Sequence, residues 1–241
     1  QKVLDTNFYV VREGNRRVTA LKMIYDEYKD NDDLNKLDES LYKNLVATDL
    51  TDIDDELISK ILGMRHVGGQ KQWGHYERSK HLYKNYMDNY VKLHGTQNPN
   101  LNWTEEDFDI DVGVMAVTAG TNNIKPAECK WRIVSYRNVL EINKSDIMQS
   151  RAELFPRTKF DMLYELVKDT KCREHFNYDE HYGVFNEEGI NKFIDLFLLG
   201  NEEHPQPAIT SGRTGDRKLA DYKAILKEGG QKDIDDVEIN R

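Results

Sequence analysis

The stretch WGHYERSKHLYKNYMDNYVKLHG, residues 73–95, constrains the fold of this 241-residue chain more than any other. Tyr76, Leu82, Tyr83, Tyr86, Met87 and Tyr90 recur near helical spacing, and Gly95 is the kind of residue on which a helix stops. Tyrosines in such a row could stack nucleic-acid bases. At helical spacing they more often form a half-buried core, and core is the reading taken here. Further helices are expected over about 16–28, from 52 to a glycine pair at 68–69, and around 158–172, 186–199 and 215–228. A helix start is expected at Thr104, after a loop at 96–102, and a short strand at Phe8–Arg12.

Charge is segregated along the chain. Between Asp26 and Glu56 twelve acids face three lysines, which equals the whole chain's net charge of −9. The remainder is neutral overall, so an acidic total does not argue against nucleic acid. Charged residues make up 32% and apolar residues 38%, a balance that suits a folded, mostly helical protein. No apolar run is long enough to span a membrane, so no membrane partner is expected. Cys129 and Cys172 lack ligand-like spacing and read as buried free thiols in a reducing, cytoplasmic setting. The chain opens on Gln1 without a signal peptide, which reads as an incomplete N-terminus.

Three clusters carry candidate chemistry. In YVVREGNRRVTALKMI, residues 9–24, a strand ends at Gly14 and a helix follows. Such a junction presents free backbone N–H groups and the positive end of a helix dipole. Gly14 admits close approach of an anion, Asn15 can cap, and Arg16 and Arg17 offer planar donors for phosphate oxygens. The plainer alternative is a capped helix with two surface arginines paired to the acids nearby. The second cluster is Arg65, His66, Gly68, Gly69 and Lys71, with Trp73 beyond. It could cradle phosphate, His66 could act as a general base or metal ligand, or the glycines could simply end a helix. The carboxylates Asp52, Asp54, Asp55 and Glu56 read as an acidic first helical turn rather than a metal site. The third cluster spans 113–142. It has the shape of a helix-turn-helix, with Lys125, Lys130, Arg132 and Arg137 on a second, basic helix that would face DNA, unless that helix merely has a wet basic face.

The box at 9–24 resembles the Gly-x-x-Arg box of the ParB/sulfiredoxin (ParB/Srx) superfamily, with Ala20 at the place of that family's early helical alanine. ILGMRHVGGQKQWGHYERSKHLY and ITSGRTGDRKLADYKAIL are similar to later segments of ParB/Srx-type proteins from bacterial genomes and mobile elements. The resemblance implies a nucleotide-phosphate site taking CTP or ATP with Mg, and a switch between open and DNA-clamping states. Arg65-His66-Val67-Gly68-Gly69 stands where partition proteins carry Glu-Asn-x-x-Arg. Asn15 or Glu13 stands where sulfiredoxin places its catalytic cysteine, so sulfiredoxin chemistry is not expected.

Together these readings describe an α+β chain. Residues 1–100 form a small ParB/Srx-like strand-helix module, truncated at its N-terminus. A mostly helical DNA-binding region with the helix-turn-helix-like unit covers 101–230, and 231–241 is a tail. The expected function is nucleotide-dependent DNA binding, possible in a mobile element or anti-phage system. The nucleotide would sit on Gly14, Asn15, Arg16 and Arg17, with Arg65, Gly68, Gly69 and Lys71 completing the pocket. Two alternatives stay open. One is a metal-dependent DNA nuclease with Glu13 and His66 as catalytic residues, and the other a regulatory subunit with a vestigial box that binds a protein partner or a second copy.

Overall fold

The computed structural model describes residues 8–28, 45–66, 73–97, 126–200, 207, 209 and 213–228. Among them the chain is mostly helical with one two-stranded antiparallel sheet, α+β in the broad sense. It divides into two compact units, 1–59 and 60–241.

The first unit holds α1 (Asn15–Tyr28) and the start of α2 (Asp55–His66). Val18, Leu21 and Ile24 of α1 are half-buried along one face, as their spacing requires, while Tyr25 is exposed. The expected strand is reduced to a single β-bridge at Tyr9. Asp54 caps α2 by accepting the Leu57 N–H at 2.8 Å, and Asp55 and Glu56 occupy its first turn, where carboxylates suit the helix dipole. Ile58 is buried, whereas Leu57 and Ile61 on the same helix are exposed.

The second unit is built around two long helices, α3 (His75–His94) and α4 (Pro126–Lys144). The tyrosine row of α3 lies in the core: Leu82 and Tyr86 are fully buried, and Tyr76, Tyr83, Met87 and Tyr90 pack against the same cluster. Gly95 ends α3 at φ +66°, donating its N–H to the Val91 carbonyl at 2.9 Å, a conformation glycine adopts without steric cost. α3 and α4 share one core.

After α4 come α5 (Asp146–Ser150), a 3-10 turn (Arg157–Lys159), α6 (Phe160–Lys168) and α7 (Thr170–His175). The sequence period merges the last two into one helix. Asp169 separates them because its carboxylate accepts the Lys171 and Cys172 N–H groups and so caps α7. Burial alone would raise that carboxyl; the Cys172 N–H and the charges of Lys223 and Lys227 more than offset it and hold the group below its ordinary value. Strands β1 (Tyr178–Asp179) and β2 (Val184–Phe185) form the hairpin, with Tyr178 opposite Phe185. Then α8 (Glu187–Phe193) runs into a π-helical turn (Ile194–Leu199). The final helix, α9 (Arg213–Glu228), buries Leu219 and Tyr222. Phe160, Phe176, Phe185, Phe193, Phe197 and Tyr222 make the aromatic center of this core.

Candidate functional site

The Gly14 turn has the geometry that an anion site needs. Gly14 sits at φ +91°, a region that costs little only for glycine, immediately before α1. The first intrahelical bond runs from the Val18 N–H to the Gly14 carbonyl at 3.0 Å, so the N–H groups of Asn15, Arg16 and Arg17 precede it. Gly14 therefore holds the cap position, and Asn15 is the first helical residue rather than the cap expected. Arg16 and Arg17 are both exposed, and Arg17 folds back so that Nη2 lies 3.6 Å from where a Cβ on Gly14 would stand. The arginine that pairs with a described acid is Arg12, whose Nη2 lies 2.9 Å from Asp55. That pair is open to water and contributes at most about 1 kcal/mol. Glu13 is half-buried beside the turn.

The second cluster falls in the other unit. Arg65 and His66 end α2, with Arg65 exposed; Gly68, Gly69 and Lys71 lie outside the described residues. The Trp73 N–H donates to the His66 carbonyl at 2.7 Å, and the two rings stack at 4.7 Å with 9° between planes. His81 meets the same indole edge-on at 5.2 Å. The buried His66 ring thus faces aromatic carbon, a packing role that the Trp73 spacing alone did not reveal.

Burial, then the charges of Lys84 and His66, push His81 down to about 4, and burial with Lys192 does the same to His175. Between about 6.5 and 4 the unfolded chain takes protons that these folded imidazoles refuse. Stability is therefore intact above that window and falls as pH drops through it. His81 contributes a slope of up to about 1.4 kcal/mol per pH unit, and the more open His175 less. Urea midpoints at neutral and acidic pH check this; His81→Phe should flatten the slope, and an unchanged slope contradicts the assignment.

The helix expected to face DNA, α4, carries many fully buried residues. Arg132 does not face solvent: it is 4% exposed, with Nε and Nη2 donating to Glu128 Oε1 at 2.9 and 2.6 Å. Arg137 is mostly covered, donating to the Tyr83 hydroxyl at 3.5 Å with Glu141 at 3.9 Å. Lys130 is half-buried with its ammonium 5.3 Å over the Trp131 ring. Of the basic residues read as facing DNA, Arg132 is therefore buried and Arg137 mostly covered. The other faces of α4 meet α3, α6 and the hairpin. Lys125 and the preceding helix and turn lie outside the described residues.

Cys129 and Cys172 are buried and free, as their spacing suggested, and burial pushes both thiols up to about 12. A surface groove of about 380 Å³ involves Ile147, Arg151, Asn191, Ile194 and Asp195, and no sequence-predicted site residue lines it. Among the described residues no helix is long and apolar enough to cross a membrane, and no group of three or more metal-ligating side chains gathers. Compared with family models, curated proteins and solved structures, the chain matches none.

Proposed function

We propose that this chain is a ParB-like, nucleotide-dependent DNA-binding protein whose phosphate site is built on Gly14, Asn15, Arg16 and Arg17. The observation that carries the reading is Gly14 at φ +91° before α1, with two exposed arginines in the first helical turn. Backbone N–H groups at a helix start and planar guanidinium donors both favor a phosphate group. CTP or ATP would bring Mg with it to balance the triphosphate charge. Arg65, Gly68, Gly69 and Lys71 belong to the same proposal as a second set of phosphate donors. The DNA contact falls to residues other than Arg132 and Arg137, whose charges are spent inside the second unit.

Calorimetry with CTP, ATP and GTP in magnesium tests the reading. One nucleotide should bind, and Arg16→Ala/Arg17→Ala should weaken it by about tenfold or more. DNA affinity should fall with salt by roughly one log-log unit per phosphate contact. A second reading, a regulatory subunit with a vestigial box, is favored by the exposed apolar row Phe8, Tyr9, Val10 and Val11. Binding of no nucleotide, with capture of a protein partner lost on Phe8→Ser/Val10→Ser, would select it instead.

A further inference from the structure

The groove of about 380 Å³ in the second unit is used by none of the readings above. Ile147, Ser150 and Arg151 line it from α5 and the residue that ends it. Asn191, Ile194 and Asp195 line it from α8 and the π-helical turn. Within each trio the spacing places all three residues on one helical face. Each trio supplies an isoleucine, a neutral hydrogen-bonding group and a charge, and the two charges are opposite. Ile194 is buried and Ile147 half-buried, while Arg151 is exposed and Asp195 half-buried. Both walls run into uncommon backbone. Beyond Arg151, Ala152 sits at φ +51°, a region costly for a residue that carries a Cβ. Beyond Asp195, Gly200 also lines the groove, and its N–H closes the π turn on the Asp195 carbonyl at 3.1 Å. Such turns are rare and frequently accompany functional sites, as strained backbone does.

We propose that this groove binds a free α-amino acid with an apolar side chain. A simple anion drawn to Arg151 would meet the Asp195 carboxylate, and a simple cation drawn to Asp195 would meet the guanidinium. A zwitterion suits both: its carboxylate accepts from Arg151 and its ammonium donates to Asp195. A carboxylate offers about four lone-pair positions, so Asp195 receives the ammonium alongside any other donor. The Ser150 hydroxyl donates to the Ile147 carbonyl at 2.9 Å and keeps acceptor capacity toward the same ammonium. The amide of Asn191 adds a donor for the carboxylate, and Ile147 and Ile194 give the side chain an apolar floor. The volume falls within the roughly 300–1,000 Å³ of small-molecule sites, which are mostly apolar with a few polar groups that fix orientation. The site is independent of the Gly14 turn.

The test titrates the full chain with leucine, with isocaproate, which lacks the ammonium, with isoamylamine, which lacks the carboxylate, and with glycine, which lacks the side chain. Calorimetry and backbone amide resonances around 147–151 and 191–200 read the binding. Leucine should bind saturably, and each of the other three should bind about tenfold more weakly or worse. Arg151→Gln should weaken leucine by about tenfold or more while melting with wild type, because the side chain it removes is exposed. Asp195→Asn, which keeps the shape, should weaken leucine but not isocaproate. Absence of saturable binding at tens of millimolar leucine overturns the proposal. So does isocaproate, isoamylamine or glycine binding as tightly as leucine, or unchanged binding by a folded Arg151→Gln protein.

Discussion

Gly189→Ala should abolish folding or lower stability by roughly 4 kcal/mol or more, a large part of a typical domain's 5–15 kcal/mol. A Cβ at Gly189 would stand 1.8 Å from the Phe176 carbonyl oxygen and 2.7 Å from its carbon. Backbone, not a flexible side chain, occupies that space. The Phe176 N–H is tied to the Cys172 carbonyl at 2.9 Å, and its ring packs against Phe185, Phe193, Phe197 and Tyr222. Gly189 is held on the other side by its N–H, which donates to Asn186 at 2.8 Å as the cap of α8. Relief would need α8 and the end of α7 to separate within a close-packed core. Gly74→Ala is the control, since nothing lies within 4 Å of its added Cβ. Soluble yield and a circular dichroism melt distinguish the two variants, and a Gly189→Ala protein melting near wild type would refute the close approach.

The contrast between those glycines shows what kind of information the sequence withholds. Gly95 and Gly14 were legible because each follows or precedes a periodic run, so a local rule names its conformation. Gly189 looks like a poor helix residue until a backbone thirteen positions earlier is placed against it. The tyrosine row of α3 was readable as core because helical period and apolar character coincide there. On α4 charge was read as exposure, whereas Arg132 is buried. Glu128 and Glu141, each four residues from Arg132 and Arg137, were the available signal that these charges are satisfied within the helix. The hairpin at 178–185 escaped notice because two residues per strand give no alternation to read. Of the candidate site, the Gly14 turn could be read from sequence.

Asn138→Ala should cost roughly 3–5 kcal/mol, because this one side chain joins α4 to the hairpin. It is fully buried; Nδ2 donates to the Val134 and Gly183 carbonyls at 3.0 and 2.9 Å, and Oδ1 accepts the Phe185 N–H at 2.9 Å. Truncation strands a buried N–H and a buried carbonyl on the hairpin, where water has no entry. A hairpin of two-residue strands has little stability of its own, so its position depends on this amide. Hydrogen exchange at the Phe185 amide should accelerate toward the global unfolding limit in Asn138→Ala. Asn138→Leu separates packing from hydrogen bonding. Leucine keeps the branched shape with slightly more volume but pairs with neither backbone group, so urea unfolding should find it almost as unstable as the alanine variant. Recovery to within about 1 kcal/mol of wild type would mean that α4 holds the hairpin by shape alone. The predicted failure of Leu means that one polar group at the center of the core, rather than apolar fit, fixes where residues 178–185 dock.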